Sequence, residues 1–205
     1  MKKGFSLGEI LIALVIIGVI SMMMIPTFKA TMKGNNKVLY KSAFKNVEQS
    51  VSDLIMDLSK TPIGEFENAP PNYNFCMNFG EKLNTLEPME KANCQRTVNS
   101  ANPIYSEGNA NFISTNGMSW FGFKENFTPS KGPGESDEEY KIKNPNGLPA
   151  GTLLIYVDVD GPHKGKNTND TEDEDQDVFK VLIYKNGKVS IPKGTTNENN
   201  YLRGK

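Results

Sequence analysis

Hydrophobic residues open this chain of 205 residues with an almost continuous apolar run. The run extends from Phe5 to Ile25 and contains one charged residue, Glu9. At about 1.5 Å of rise per residue, a helix of this length covers about 30 Å, the thickness of the hydrocarbon core of a bilayer. The pattern therefore predicts a membrane-spanning helix that carries a carboxylate near its start. Such a carboxylate is costly in a membrane and is normally matched to a partner.

A second pattern follows and predicts an amphipathic helix. Apolar residues recur at alternating spacings of four and three, which places them on one helical face, and Thr61-Pro62 ends the pattern. We expect residues 5–28 and 29–60 to form one long helix, bent or locally melted near Pro26 and Gly34. The apolar positions of the second half are Tyr40, Phe44, Val47, Val51, Leu54 and Leu58.

Lysines at four-residue spacing share the opposite side of this second half. One interpretation is a solvated face, and the other is a stripe that contacts another subunit or anionic lipid. The stripe consists of Lys29, Lys33, Lys37, Lys41 and Lys45.

The rest of the chain, residues 61–205, predicts one globular head with β-structure in its second part. Residues 61–110 and 129–147 are rich in Asn, Pro, Gly or Glu and predict irregular connections. Apolar runs rich in β-branched and aromatic residues follow residue 111, separated by the Asn-Gly turns at 116–117 and 186–187. The expected fold class is α+β, a long helix packed on a C-terminal antiparallel sheet of four or five strands. The predicted strands cover residues 112–114, 118–123, 152–158, 178–184 and 189–192.

The residues before the apolar run carry the most specific motif. Lys2 and Lys3 precede Gly4-Phe5-Ser6-Leu7-Gly8-Glu9, which resembles the class III leader of type IV pilins and type II secretion pseudopilins. The resemblance implies removal of residues 1–4 by a prepilin peptidase, N-methylation of Phe5, and Glu9 as the carboxylate that docks each subunit into a helical filament. Gly8 stands where that family usually has a branched apolar residue.

The same resemblance implies location and partners. The chain would lie in the bacterial cytoplasmic membrane as a single-pass protein with its head outside, and then enter a pilus or pseudopilus. Its partners would be other copies of itself, other pilins, the prepilin peptidase and the inner-membrane assembly platform. A cleavable signal peptide and a plain anchor are the alternatives. The lysines after the run favour the opposite orientation by the positive-inside rule, although long domains translocate largely regardless of charge.

Two cysteines, Cys76 and Cys94, lie in the region expected to be irregular. In an exported chain the default is one disulfide between them, and in a cytosolic protein the alternative is two buried free thiols. A zinc site is not favoured, because neither a CxxC motif nor clustered histidines accompany them.

The connection between the two strongest predicted strands carries eight carboxylates within residues 158–177. Like charges this close repel one another, and a hard cation with oxygen ligands would relieve the repulsion. One interpretation is a calcium site, formed by the carboxylates that flank the strand ends: Asp158, Asp160, Asp175 and Asp177. The alternative is a solvated acidic loop that keeps the edge of the sheet soluble.

Composition excludes several other functions. The formal net charge of −1 and the acidic or neutral loops disfavour a nucleic-acid partner. The single histidine, His163, has no nucleophile motif beside it, so an enzyme is not expected. The predicted function is a structural filament subunit that requires no cofactor. The alternative is a minor tip pilin that binds a surface or a secreted substrate.

Overall fold

The computed structural model describes residues 7–57, 59, 66, 74–96, 105–123, 127–128, 132–143, 147–170 and 176–203, with the side chains at 9, 19, 21–34, 142 and 143 left aside. These residues form an α+β fold with one five-stranded antiparallel sheet. The helices are α1 Leu7–Met56, α2 Phe75–Lys82, α3 Lys91–Cys94, α4 Asp137–Lys143 and α5 Thr196–Arg203. The strands are β1 Phe112–Ile113, β2 Ser119–Phe121, β3 Thr152–Asp158, β4 Val178–Tyr184 and β5 Val189–Ser190.

The second half of α1 forms the spine of the head. One face of this helix is fully buried against the sheet, and the exposed positions lie on the opposite face. The helix is continuous from Leu7 to Met56, so one long helix is confirmed, and of the two alternatives predicted near Pro26 and Gly34, a bend or local melting, the melting is wrong. The buried residues of the spine are Tyr40, Ala43, Val47, Val51 and Leu54.

The first half of α1 corrects the predicted fold class. The described side chains from Leu7 to Ile20 are apolar, and those from 21 to 34 are left aside. None of the helices in the described part of the chain is long and apolar enough to cross a membrane. The predicted membrane-spanning half, residues 5–28, is therefore wrong for these residues. The described residues form an α+β head on a long helix.

The sheet has its strands in chain order, β1-β2-β3-β4-β5, and every neighbouring pair is antiparallel. The β3–β4 ladder pairs Thr152 with Tyr184 and Asp158 with Val178. Short turns join β1 to β2 and β4 to β5, as at Gly187, where a φ of +80° suits glycine, and longer connections join the other strands. A meander of this kind needs no crossover connection, since each strand pairs with the next in sequence.

Side chains alternate between the two faces of the sheet. On the face toward α1, Trp120, Ile155 and Phe179 belong to the main core, whereas Phe121 and Val178 point to the other face with Tyr105 and Ala110. This period of two is what an extended strand imposes. The sheet is therefore buried on both faces, with the larger core under the helix.

Residues 61–110 contain more helix than the sequence predicted. Asn74 caps α2, because its side-chain oxygen accepts a hydrogen bond from the Met77 N–H at 3.1 Å. Phe75 and Phe79 of α2 pack into the main core. A disulfide joins Cys76 of α2 to Cys94 of α3, with 5.8 Å between the Cα atoms. The two short helices are thereby held against the sheet.

Gly187 tests how closely the β4–β5 hairpin approaches α1. A Cβ added there would overlap the Ile55 side chain of α1, whereas a Cβ at Gly194, which has a similar φ of +84°, meets nothing within 4 Å. We expect Gly187→Ala to lower the free energy of unfolding by about 2–4 kcal/mol, and Gly194→Ala by only about 1 kcal/mol. Urea unfolding of both variants measures the difference. Equal losses would show that the helix contact contributes nothing.

Candidate functional site

The first candidate site is the beginning of α1, where large apolar side chains face solvent. Their exposed fractions range from 46 to 83%. Positions 14 to 17 are consecutive, so these side chains occupy all sides of the helix. Soluble monomers rarely expose contiguous apolar surface of this extent, and such surface marks an interaction site. The exposed residues are Leu7, Ile10, Leu11, Ile12, Leu14, Val15, Ile16, Ile17 and Ile20.

The residues that the sequence predicted to act in processing and assembly are Gly4, Phe5 and Glu9. Gly4 and Phe5 are outside the described residues. The backbone of Glu9 belongs to α1, and its side chain is among those left aside. The predicted roles of Gly4, Phe5 and Glu9 therefore stay predictions from the leader motif.

The second candidate site is the turn between β3 and β4, where Asp177 organises the loop that precedes it. The Oδ2 atom of Asp177 accepts hydrogen bonds from the backbone N–H groups of Lys166 and Asn167 at 2.6 and 2.8 Å. Its Oδ1 atom accepts from the N–H of Thr168 at 2.7 Å. Gly165 has a φ of +65° and lies so close that a Cβ would overlap Asp177 Oδ2. The carboxylate of Asp177 is thus used to hold the turn.

Asp158 and Asp160 lie on the other side of the same turn. Oδ1 of Asp158 accepts a hydrogen bond from the Gly161 N–H at 3.0 Å, and Asp158 is fully buried at the end of β3. No donor group among the described residues reaches three buried oxygens of the turn, Asp158 Oδ2, Asp160 Oδ1 and Asn167 Oδ1, while the Asp158 and Asp160 carboxyls are close enough to share a proton. Unpartnered buried acceptors are uncommon and require an explanation such as a bound ion.

Burial and mutual repulsion favour the protonated form of the carboxyl groups in this turn. Burial raises the pKa of Asp158 to about 8, and the nearby carboxyls of Asp160 and Asp177 add to the rise. Burial also raises the pKa of Asp177, although the three backbone N–H groups that it accepts oppose the change. In the absence of a cation, the fold therefore disfavours a full set of charges here.

The structure brings together only part of the predicted calcium set. Asp158, Asp160 and Asp177 share the turn, while Asp175 lies outside the described residues. Among the residues described, no group of three His, Cys, Asp or Glu side chains is arranged to hold a metal ion. A ligand set that includes the side-chain amide oxygen of Asn167 is not such a group. This oxygen has no hydrogen-bond partner, and amide oxygens are ligands of hard cations. The calcium site stays a prediction.

Sequence reasoning missed Asn167, Gln176 and Glu198. Asn167 has a φ of 49°, and asparagine tolerates this region better than most residues. Gln176 and Glu198 are fully buried, and Gln176 Nε2 donates to Glu198 Oε1 at 3.2 Å. Glu198 Oε1 also accepts a hydrogen bond from the Lys180 N–H. Lys180 belongs to β4, and β5 pairs only with Leu182 and Ile183 of that strand. Only the Asn167 conformation has a sequence signal, the turn-rich stretch from Gly161 to Asn169.

No protein-family model, curated protein or solved structure matches this chain.

The raised pKa of Asp158 predicts how stability depends on pH in the presence of a chelator. Between the ordinary value of 3.8 and about 8, the folded state keeps a proton that the unfolded chain has released. Stability should therefore fall as the pH rises through this window, by at most about 1.4 kcal/mol per pH unit for one proton. Asp158→Asn should reduce the slope of the unfolding free energy against pH. Part of the slope should remain, because burial also raises the pKa of Asp177 and of Glu198.

Urea unfolding at several pH values measures this slope. The matched control is Asp170→Asn, which changes an exposed carboxylate of the same loop. An unchanged slope in Asp158→Asn would contradict the assignment.

Proposed function

We propose that this chain is a structural subunit of a helical filament, polymerised through the beginning of α1. The observation that carries the proposal is the exposed apolar segment from Leu7 to Ile20. Complete burial of a large aliphatic side chain contributes about 1.5–3 kcal/mol. Burial of the surface that each of these side chains still exposes to solvent therefore contributes about 1 kcal/mol per side chain. Summed over the segment, this is comparable to the stability of a whole domain. Association of copies is thus strongly favoured.

The distribution of these side chains favours many copies over a closed dimer. They lie on all sides of the helix, and one partner helix covers only one side. Several neighbours are needed to bury the segment. When each copy uses different surfaces toward different neighbours, the assembly extends without closing and forms a helical filament.

The leader motif supports the same proposal and adds its chemistry. By resemblance to type IV pilins and type II secretion pseudopilins, a prepilin peptidase cleaves between Gly4 and Phe5, and the new α-amine of Phe5 is methylated. The amine of one copy then neutralises Glu9 of a neighbour inside the apolar core of the filament. The disulfide between Cys76 and Cys94 supports export from the cytoplasm, where thiols are kept reduced.

Substitution of Glu9 tests this mechanism. Glu9→Val should leave the chain processed but exclude it from filaments, because the amine of a neighbouring Phe5 has no carboxylate to meet. Glu9→Asp keeps the charge and should assemble in part. The measurement is the amount of each variant in sheared, pelleted filaments from cells that produce the prepilin peptidase and the assembly platform. N-terminal sequencing should find methylated Phe5 in each.

Two results would contradict the proposal. One is normal incorporation of Glu9→Val into filaments. The other is a mature wild-type chain that retains Met-Lys-Lys-Gly.

We also propose that the β3–β4 turn binds one calcium ion. The support is the set of three buried oxygens without partners, on Asp158, Asp160 and Asn167. Calcium takes carboxylate and amide oxygens as ligands, and its charge would offset the burial and the carboxylate repulsion that together raise the pKa of Asp158. Asp177 supports this site by ordering the loop, through the hydrogen bonds that it accepts from Lys166, Asn167 and Thr168.

Calcium should raise the midpoint of thermal unfolding over that measured with a chelator. At a concentration one hundred times the dissociation constant, the gain is about 2.7 kcal/mol, or about 5–10 °C for a chain of this size. Asp160→Asn should abolish the gain, whereas the exposed control Asp170→Asn should keep it. Equal midpoints with calcium and with chelator in the wild-type chain would exclude the site.

A further inference from the structure

A cavity of about 250 Å³ lies at the β1 edge of the sheet. Its walls come from three segments of the head: residues 85–87, the helix α3 with Arg96 just after it, and the 3-10 turn Glu107–Asn109. The first of these segments is joined to β1, because the Leu86 N–H donates to the Ile113 carbonyl at 2.8 Å. The volume is just below the about 300–1,000 Å³ of pockets that hold drug-sized ligands, so the cavity suits a smaller molecule.

Buried groups hold the wall that carries Arg96. Asn111 is fully buried, and its Nδ2 atom donates to the carbonyls of Asn93 and Arg96 at 2.7 and 3.1 Å. Its Oδ1 atom accepts a hydrogen bond from the Phe123 N–H at 3.0 Å, which ties this wall to the end of β2. The disulfide at Cys94 also fixes α3. The cavity is therefore formed in advance of binding, which lowers the entropy cost of holding a ligand.

The guanidinium of Arg96 is fixed in place with most of its donors unused. Its Nη1 atom donates to the Ala110 carbonyl at 2.7 Å, and this is the one hydrogen bond that the side chain makes to the described residues. A guanidinium has five N–H donors. The remaining N–H groups can bind a carboxylate in the bidentate geometry that arginine favours.

Two carboxylates line the same cavity, those of Glu87 and Glu107. Among the described residues, neither forms an ion pair with Arg96. Glu107 pairs instead with His163 at 3.2 Å, and the one hydrogen bond that Glu87 accepts goes to its backbone carbonyl. The cavity thus presents a positive and a negative group that are not paired with each other, and a ligand with both charges can satisfy the two.

We propose that this cavity binds a free α-amino acid whose apolar side chain is about the size of leucine. The ligand carboxylate binds the guanidinium of Arg96, and its ammonium group binds the Glu87 carboxylate. Its side chain packs on Leu86, which is 60% exposed, and on the buried ring of Phe112. A zwitterion complements both charges, whereas a simple anion leaves Glu87 unpaired. The inference does not depend on the proposed function, since every lining residue belongs to the head.

Equilibrium dialysis of the full-length chain in non-ionic detergent, with radiolabelled L-leucine as the probe, tests the inference. We expect saturable binding at one site per chain. Arg96→Gln should weaken binding about 10- to 100-fold, because the ligand carboxylate loses its charged hydrogen-bond donor. The matched control, Arg203→Gln, removes the same charge at an exposed site of α5 and should bind like the wild type.

A second variant, Glu87→Gln, tests the ammonium contact and leaves the hydrogen bond of the Glu87 backbone in place. It should weaken L-leucine binding about tenfold, for the same reason as at Arg96. Its matched control is Glu138→Gln, at an exposed site of α4. Far-UV circular dichroism of every variant shows whether the chain is folded.

Two analogues assign each charge of the ligand to its partner. N-acetyl-L-leucine lacks the ammonium group, so it should bind more weakly than L-leucine and should not distinguish Glu87→Gln from the wild type. L-leucinamide lacks the carboxylate, so its weak binding should not change in Arg96→Gln.

Three results would overturn the inference. The first is the absence of saturable L-leucine binding to the folded wild-type chain. The second is wild-type affinity in folded Arg96→Gln or Glu87→Gln. The third is equal affinity of the wild-type chain for L-leucine and N-acetyl-L-leucine, which would exclude a zwitterion site. None of these readouts involves filaments, so such a failure leaves the proposed function unaffected.

Discussion

The burial of one face of α1 against the sheet is the contact on which the rest of this structure depends. Tyr40, Val47 and Val51 lose all solvent exposure there, and Tyr40 also stacks on Phe179 of β4 with 4.4 Å between ring centroids. Because α1 is one continuous helix, anchoring its second half also fixes the direction in which its first half leaves the head. The exposed apolar segment from Leu7 to Ile20 therefore belongs to the same helix that is anchored on the sheet.

The β3–β4 ladder places the acidic turn in the same way. Asp158 ends β3 and pairs with Val178, so Asp177 comes next to Val159, whose N–H donates to the Asp177 carbonyl at 3.0 Å. The carboxylates approach one another because the strands pair to their ends. Burial and repulsion among the carboxylates raise the pKa of Asp158, and Asp177 is stabilised by backbone N–H groups.

The strands were the most predictable part of the fold. The predicted ranges 152–158 and 178–184 coincide with β3 and β4, because long runs of β-branched and aromatic residues between turns have few alternatives. The short helices α2, α4 and α5 were missed, since seven or eight residues hold too few turns for a reliable period. The membrane-spanning half of α1 was predicted from the apolar run 5–25, and no helix among the described residues is long and apolar enough to cross a membrane.

The sequence by itself determined the local preferences: the amphipathic face of α1, the Asn-Gly turns, the strand runs, the leader motif and the number of carboxylates between β3 and β4. These depend on residue type and spacing within a few turns of chain. Tertiary structure alone decided that Asn167 has an unpartnered oxygen, that Asp177 is held by backbone N–H groups, and that Glu198 covers the open edge of β4. Such assignments depend on distances between segments that are far apart in the chain. Strand pairing and core packing set these distances, and the spacing of residues in the sequence does not encode them.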